Sequence, residues 1–239
     1  MKRTILALGL CSAFMGNANA AQWSYDGQHG PLHWGEFASE CATGVNQSPI
    51  NIESATQAKL AKLAFNYQGK VVSLLNNGHT LQTEIEGTNT ITIDGKVFTL
   101  KQFHFHTPSE NHIDGKEYPL EAHFVHADKA GHLAVVAVFF ELGDENVELA
   151  KLLKNTPKKG TNSPIDVPFN ADALLSDTMD YYRFNGSLTT PPCSEGVRWI
   201  VLKTPLSVSD EQVALFNKVM GNNNRPLQSL NARLVTQTE

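Results

Sequence analysis

Beyond its first twenty residues the chain has no second apolar run long enough to span a bilayer. It has no Lys/Arg run and no basic amphipathic segment, so it offers nothing to nucleic acid or an anionic membrane. Cysteine is scarce, with three in 239 residues, which excludes a disulfide-dense scaffold. Internal repeats, low-complexity tracts and long linkers are missing, which excludes solenoids and strings of small modules. Helical periodicity is scarce too.

What is present begins with the leader. Lys2 and Arg3 precede the apolar stretch TILALGLCSAFMG, and Ala18-Asn19-Ala20 follows as a small-x-small cleavage signal. That pattern is a secretory signal peptide over residues 1–20, cut near Ala20. Leu10 is too bulky for Cys11 to be a lipidation site, so no membrane anchor is expected. Removing the leader leaves 17 basic against 24 acidic side chains, a formal charge of −7 in place of −5. It also leaves two cysteines, Cys41 and Cys193, which in an oxidising compartment are expected to pair. The expected site of action is periplasmic or extracellular.

The remaining 21–239 reads as one domain; 41% hydrophobic and 18% charged residues suffice for a sizeable core. Residues 21–50 show no period and read as an ordered, irregular arm. KVVSLLNN and HTLQTEIE flank Asn77-Gly78, and NTITID and KVFTLKQFHFH flank Asp94-Gly95, two hairpin signals. YPLEAHFVHAD alternates, and HLAVVAVFFEL is a continuous apolar run that suits a central strand. Helices are expected only at 144–155 and at 209–221, the latter with a Ser209/Gln212 capping box and a stop at Gly221. The fold class is therefore mixed α+β and β-dominated, a large twisted sheet with short peripheral helices.

The stretch QFHFHTPSE carries the chemistry. Strand side chains repeat every second residue, so His104 and His106 share a face with Cβ atoms ~7 Å apart. Imidazoles at that spacing converge on an ion about 2 Å from each. A third ligand comes from EAHFVH, and by spacing alone it is His123 or His126. Glu121 and Gln102 stand two residues before His123 and His104 on the same faces, placed to accept a second ring N–H, which favours His123. His126 is then a hydrogen-bonded structural histidine. His29, His33, His112 and His132 have no such arrangement. Three neutral ligands leave a dication its full charge, unlike the two-His-one-carboxylate iron sets.

In chain order GPLHW, NQSPINI, NNGHT, QFHFHTPSE, EAHFVHAD, GSLTTPPCSEGVRWIV and NRP resemble the α-class carbonic anhydrases, from Trp23 to about Arg225. The export signal and two cysteines resemble the bacterial secreted members. The resemblance implies a mostly antiparallel sheet with a conical cavity, and reversible CO₂ hydration to bicarbonate and a proton by zinc-bound hydroxide. It implies Zn²⁺ on His104, His106 and His123, oriented by Gln102, Glu121 and a backbone carbonyl near Asn223. Thr189 matches the gatekeeper hydroxyl, Glu110 the carboxylate that fixes its polarity, and His79 the proton shuttle. Val125, Val135, Leu188, Val197 and Trp199 match the apolar wall for CO₂. Tyr25, Asn77, Gln82 and Thr190 match polar groups that order cavity water, and Cys41–Cys193 matches a disulfide. Sulfonamides and small anions are the implied inhibitors, ester hydrolysis is at most a side activity, and the protein is a monomer or homodimer. Members that lost zinc ligands act as binding modules; all the ligands are present here. Three departures stand out: Asn111 where many animal members carry His, Phe184 and Tyr182 in an aromatic cluster, and a short 107–117 connection expected to open the cavity rim.

Overall fold

The structure is a computed structural model and describes residues 23–176 and 178–239. The leader therefore lies outside the described residues.

Both hairpin signals form hairpins. Strands β1 (Lys70–Asn76) and β2 (Leu81–Glu86) pair antiparallel around Asn77-Gly78. β3 (Asn89–Ile93) and β4 (Lys96–His106) pair around Asp94 and Gly95, both at positive φ, 51° and 74°. Two successive left-handed residues match the twist of the flanking strands, which is why Asp-Gly serves there. β5 (Leu120–Ala127), β6 (Leu133–Leu142), β7 (Tyr181–Ser187) and β8 (Glu195–Leu202) complete the frame. Among the described residues they lie in a 13-stranded sheet whose spine runs β1-β2-β4-β5-β6-β8-β7. Most neighbours are antiparallel; β6 and β8 are parallel.

A run such as Ala134–Phe140 is buried at every position because the sheet is covered on both sides. On one side Phe103, Phe105, Phe124 and Phe140 pack against Leu149, Leu152 and Phe216 of two helices. On the other, Val135, Ala137, Trp199 and Val201 pack against Ile50 and Ile52 of the N-terminal arm. Full burial of each Phe contributes about 2 kcal/mol.

The arm holds two short helices that no period announces, α1 (Trp34–Phe37) and α2 (Glu40–Thr43). Helix α3 spans Val147–Leu153, shorter than the expected 144–155. Asn146 accepts from the backbone N–H groups of Glu148 and Leu149, so the helix starts there rather than at Asp144. Val147, its first residue, is exposed. Helix α4 (Asp210–Met220) has the expected capping box and stops at Gly221, φ 68°. Cys41 and Cys193 form a disulfide across 152 residues and tie the arm to the loop after Thr189.

Candidate metal centre and its surroundings

Spacing left His123 and His126 as alternatives, and a β-bulge chooses between them. Leu100 lies opposite His126, but from Gln102 onward the register shifts by one: Gln102 faces Val125 and His104 faces His123. Residues directly opposite share a face, so one inserted residue moves a whole set of side chains to the other side. The shift puts His123 beside His104 and turns His126 toward the core. There His126 is buried, and its Nε2 lies 2.5 Å from the Tyr67 hydroxyl. Burial holds its pKa down at about 4.

His104, His106 and His123 each present one nitrogen within 4.8 Å of the others. Two of the rings have their remaining nitrogen hydrogen-bonded, and the third has its own close to a carboxylate. His104 Nδ1 lies 2.8 Å from Gln102 Oε1, and His106 Nδ1 lies 2.8 Å from the Asn223 carbonyl oxygen. Those acceptors require N–H on Nδ1, which leaves both Nε2 lone pairs free. His123 is reversed: its Nε2 lies 2.9 Å from Glu121 Oε1, off the line of a good hydrogen bond, and its Nδ1 faces Glu110. All three rings are held below their usual pKa, first by burial, and for His104 and His123 by positive neighbours in the triad as well.

Glu110 closes the centre. Its Oε2 lies 3.5 Å from His106 Nε2 and 3.8 Å from His123 Nδ1, yet neither Oε2 nor His106 Nε2 has a hydrogen-bond partner. Buried orphan atoms of this kind converging on one point are what a cation's seat leaves behind. Neutral nitrogen donors with no thiolate suit a borderline-soft dication such as zinc. The backbone N–H of Arg225 donates to Glu110 Oε1 at 2.9 Å, and the Thr189 hydroxyl lies within hydrogen-bonding range of the same carboxylate. Both favour the ionised form, against burial, which raises the Glu110 pKa well above its usual value.

The walls are neighbouring rows of the sheet. Gln82, His104, His123 and Ala137 form one row across four strands. The next is Gln102, Val125, Val135, Trp199 and Phe184. Val125 and Leu188 are half-buried, while Val135, Val197 and Trp199 are buried behind them. The Trp199 ring stands edge-on to His123, centroids 4.9 Å apart, and its N–H holds the Ser187 carbonyl at the base of the Thr189 loop. Phe184 stacks flat on Trp199.

The polar side is a cavity of about 130 Å³ lined by Tyr25, Asn77, His79, Gln82, Gln102 and Thr190, with His104 and His106 at its floor. Asn77 lines it, but its side-chain oxygen accepts from the backbone N–H groups of His79 and Thr80, so it shapes the turn that carries His79. His79 is half-exposed and stacks on Trp23, centroids 3.9 Å apart. Burial and the Lys159 ammonium hold its pKa below the usual value. Burial, and then the Glu110 carboxylate, push the Tyr25 phenol up from its usual pKa.

Sequence reasoning missed Trp23 as the stacking partner of His79 and the buried Arg225. The Arg225 guanidinium donates to Gln47 Oε1 and to the Ser48 and Cys41 carbonyls, joining the arm to the Glu110 loop. No periodic pattern marks a loop arginine as buried, so the NRP motif that contains it gave no hint of this role.

Residues 29–239 match the family model described as eukaryotic-type carbonic anhydrase. A carbonic anhydrase of Klebsiella pneumoniae is 46% identical over 243 residues, covering 99% of this chain and 98% of its own. The structure of the Photobacterium profundum α-carbonic anhydrase is 57% identical, with a TM-score of 0.89 over 91% of this chain and 100% of its own. That of the Thermovibrio ammonificans α-carbonic anhydrase, complexed with the inhibitor sulfanilamide, is 48% identical, with a TM-score of 0.88 over 91% and 99%. With a β-sheet that seats three inward histidines and relatives matched along nearly its full length, the chain belongs to the α-class carbonic anhydrases, enzymes of CO₂ hydration.

Proposed function

We propose that the mature protein, residues 21–239 after removal of a 1–20 leader, is a zinc-dependent periplasmic or secreted enzyme. It interconverts CO₂ and bicarbonate. The observation that carries this reading is the triad of histidines beside Glu110, with Gln102 and the Asn223 carbonyl bonded to the second nitrogens of His104 and His106 and Glu121 2.9 Å from that of His123. His104 and His106 would hold the metal through Nε2 and His123 through Nδ1. Zinc there would supply positive charge that favours ionised Glu110 and Glu121, and would lower the pKa of a bound water to about 7, as it does in carbonic anhydrases generally.

The side chains direct the reaction around that centre. A carboxylate only accepts, so Glu110 takes the Thr189 proton and leaves the Thr189 oxygen free to accept one. A nucleophilic oxygen that donates its proton to Thr189 keeps a lone pair aimed at the substrate. The Thr189 backbone N–H stabilises the charge that develops on a CO₂ oxygen. CO₂ has no charge to anchor, and the half-buried Val125 and Leu188 in front of Val135, Val197 and Trp199 give it a small apolar wall. Tyr25, Asn77, Gln82 and Thr190 order water between the floor and His79, which takes the released proton and passes it to buffer. Sulfonamides and small anions inhibit at the same centre, and ester hydrolysis is a side activity. The disulfide suits an oxidising compartment.

Stopped-flow CO₂ hydration before and after zinc chelation tests this. Activity lost on chelation and restored by zinc is expected; activity indifferent to the chelator refutes the reading.

A further inference from the structure

Glu121 is buried, and each of its carboxylate oxygens has a donor from one residue. The Asn111 backbone N–H reaches Oε2 at 2.9 Å, and the Asn111 side-chain amide reaches Oε1 at 2.8 Å. A second backbone N–H, from Glu110, reaches Oε2 at 2.7 Å. Oε1, the oxygen 2.9 Å from His123 Nε2, accepts its hydrogen bond from Asn111. The Asn111 amide is itself fixed: its own oxygen accepts from the Ile50 backbone N–H at 3.2 Å, and its carbonyl accepts from the Ser109 hydroxyl at 2.9 Å. None of these groups is open to solvent.

We infer that Asn111 is a positioning residue for the metal: its amide clamps Glu121, and through Glu121 it fixes the tautomer and ring angle of His123. The inference rests on the zinc reading above. A carboxylate held at both oxygens cannot swing away from His123, so Nε2 keeps its proton and Nδ1 its lone pair. Without the side-chain amide, Oε2 keeps its backbone donors while Oε1 is left to His123 alone. The carboxylate then pivots about Oε2, and the His123 ring with it. The Ile50 contact decides which way the amide faces: its oxygen is taken by a donor, so the NH₂ end must point at Glu121.

The test is zinc affinity, by competition with a chromophoric chelator, alongside the urea unfolding midpoint of the metal-free protein. Groups that orient metal ligands typically contribute ten- to a hundredfold in affinity. Asn111 acts one bond further out, so Asn111→Ala is expected to weaken zinc binding roughly tenfold. Asn111→Asp is isosteric and keeps the packing even if the alanine variant fails to fold. It replaces the donor with an acid facing Glu121, so it is expected to weaken zinc more than alanine does. Asn111→His restores an N–H donor and is expected to recover most of the affinity. If the alanine and aspartate variants bind zinc like the wild type while their metal-free stability falls, Asn111 is only a packing residue and the inference is overturned. A wild-type protein that takes no zinc overturns the zinc reading itself.

Discussion

Acid sensitivity tests the bulge that sorts the histidines. His126 is buried on the core face, and the Tyr67 hydroxyl can donate to its Nε2 only while that nitrogen is unprotonated. Its pKa is about 4 in the fold, against an ordinary value of 6.5. Well above pH 6.5 neither the folded nor the unfolded chain protonates it, and the fold keeps its full stability. Below that the unfolded chain takes up a proton that the folded one refuses, so stability falls as pH drops toward 4. A gap of about 2.5 units at 1.36 kcal/mol each, less the ends of the titration, comes to about 3 kcal/mol between pH 7 and pH 4. Other groups titrate in that range, so the measurement is a difference. Urea unfolding of metal-free wild type and His126→Gln at pH 7, 6, 5 and 4 gives two curves of stability against pH. Glutamine keeps an acceptor for Tyr67 and never charges. The wild-type curve is expected to drop about 3 kcal/mol further than the variant's. Parallel curves would mean that His126 takes its proton freely, and the core assignment would fail.

Two further outcomes follow from the site and its tether. His79→Ala is expected to lower kcat in dilute buffer, to leave kcat/KM little changed, and to recover on adding imidazole; an unchanged kcat would send the proton out by another route. Cys193→Ser releases a tie across 152 residues. Chain entropy puts that at about 5 kcal/mol, read as a lower urea midpoint, and an unchanged midpoint would show that the arm holds without it.

The sequence makes some of this plain and hides the rest for physical reasons. Asp94-Gly95 predicts its hairpin because two adjacent left-handed residues have few other uses. The alternation in QFHFH places its histidines and phenylalanines on opposite faces, as found. The choice of His123 over His126 hangs on one extra residue near Lys101, and period-two reasoning cannot see a bulge in a partner it has not yet paired. Glu121 and Gln102 offered the better hint, since a polar residue two places before a histidine on a strand shares its face and can accept its second ring N–H. The Asn223 carbonyl was legible through the family resemblance alone, because a backbone acceptor leaves no mark in side-chain pattern. Arg225 and Trp23 act through long-range contacts, which neither spacing nor propensity records.

His104 and His123 are cross-strand partners on two interior strands, each paired on both edges. Their separation is thus set by the same ladder that builds the sheet, not by anything they bind. A metal would meet a seat that the sheet itself builds, in contrast to small zinc modules that fold only around their ion. Zinc bound there would add stability by mass action. An architecture of this kind is free to shed a ligand and remain a protein, keeping its cavity for other uses.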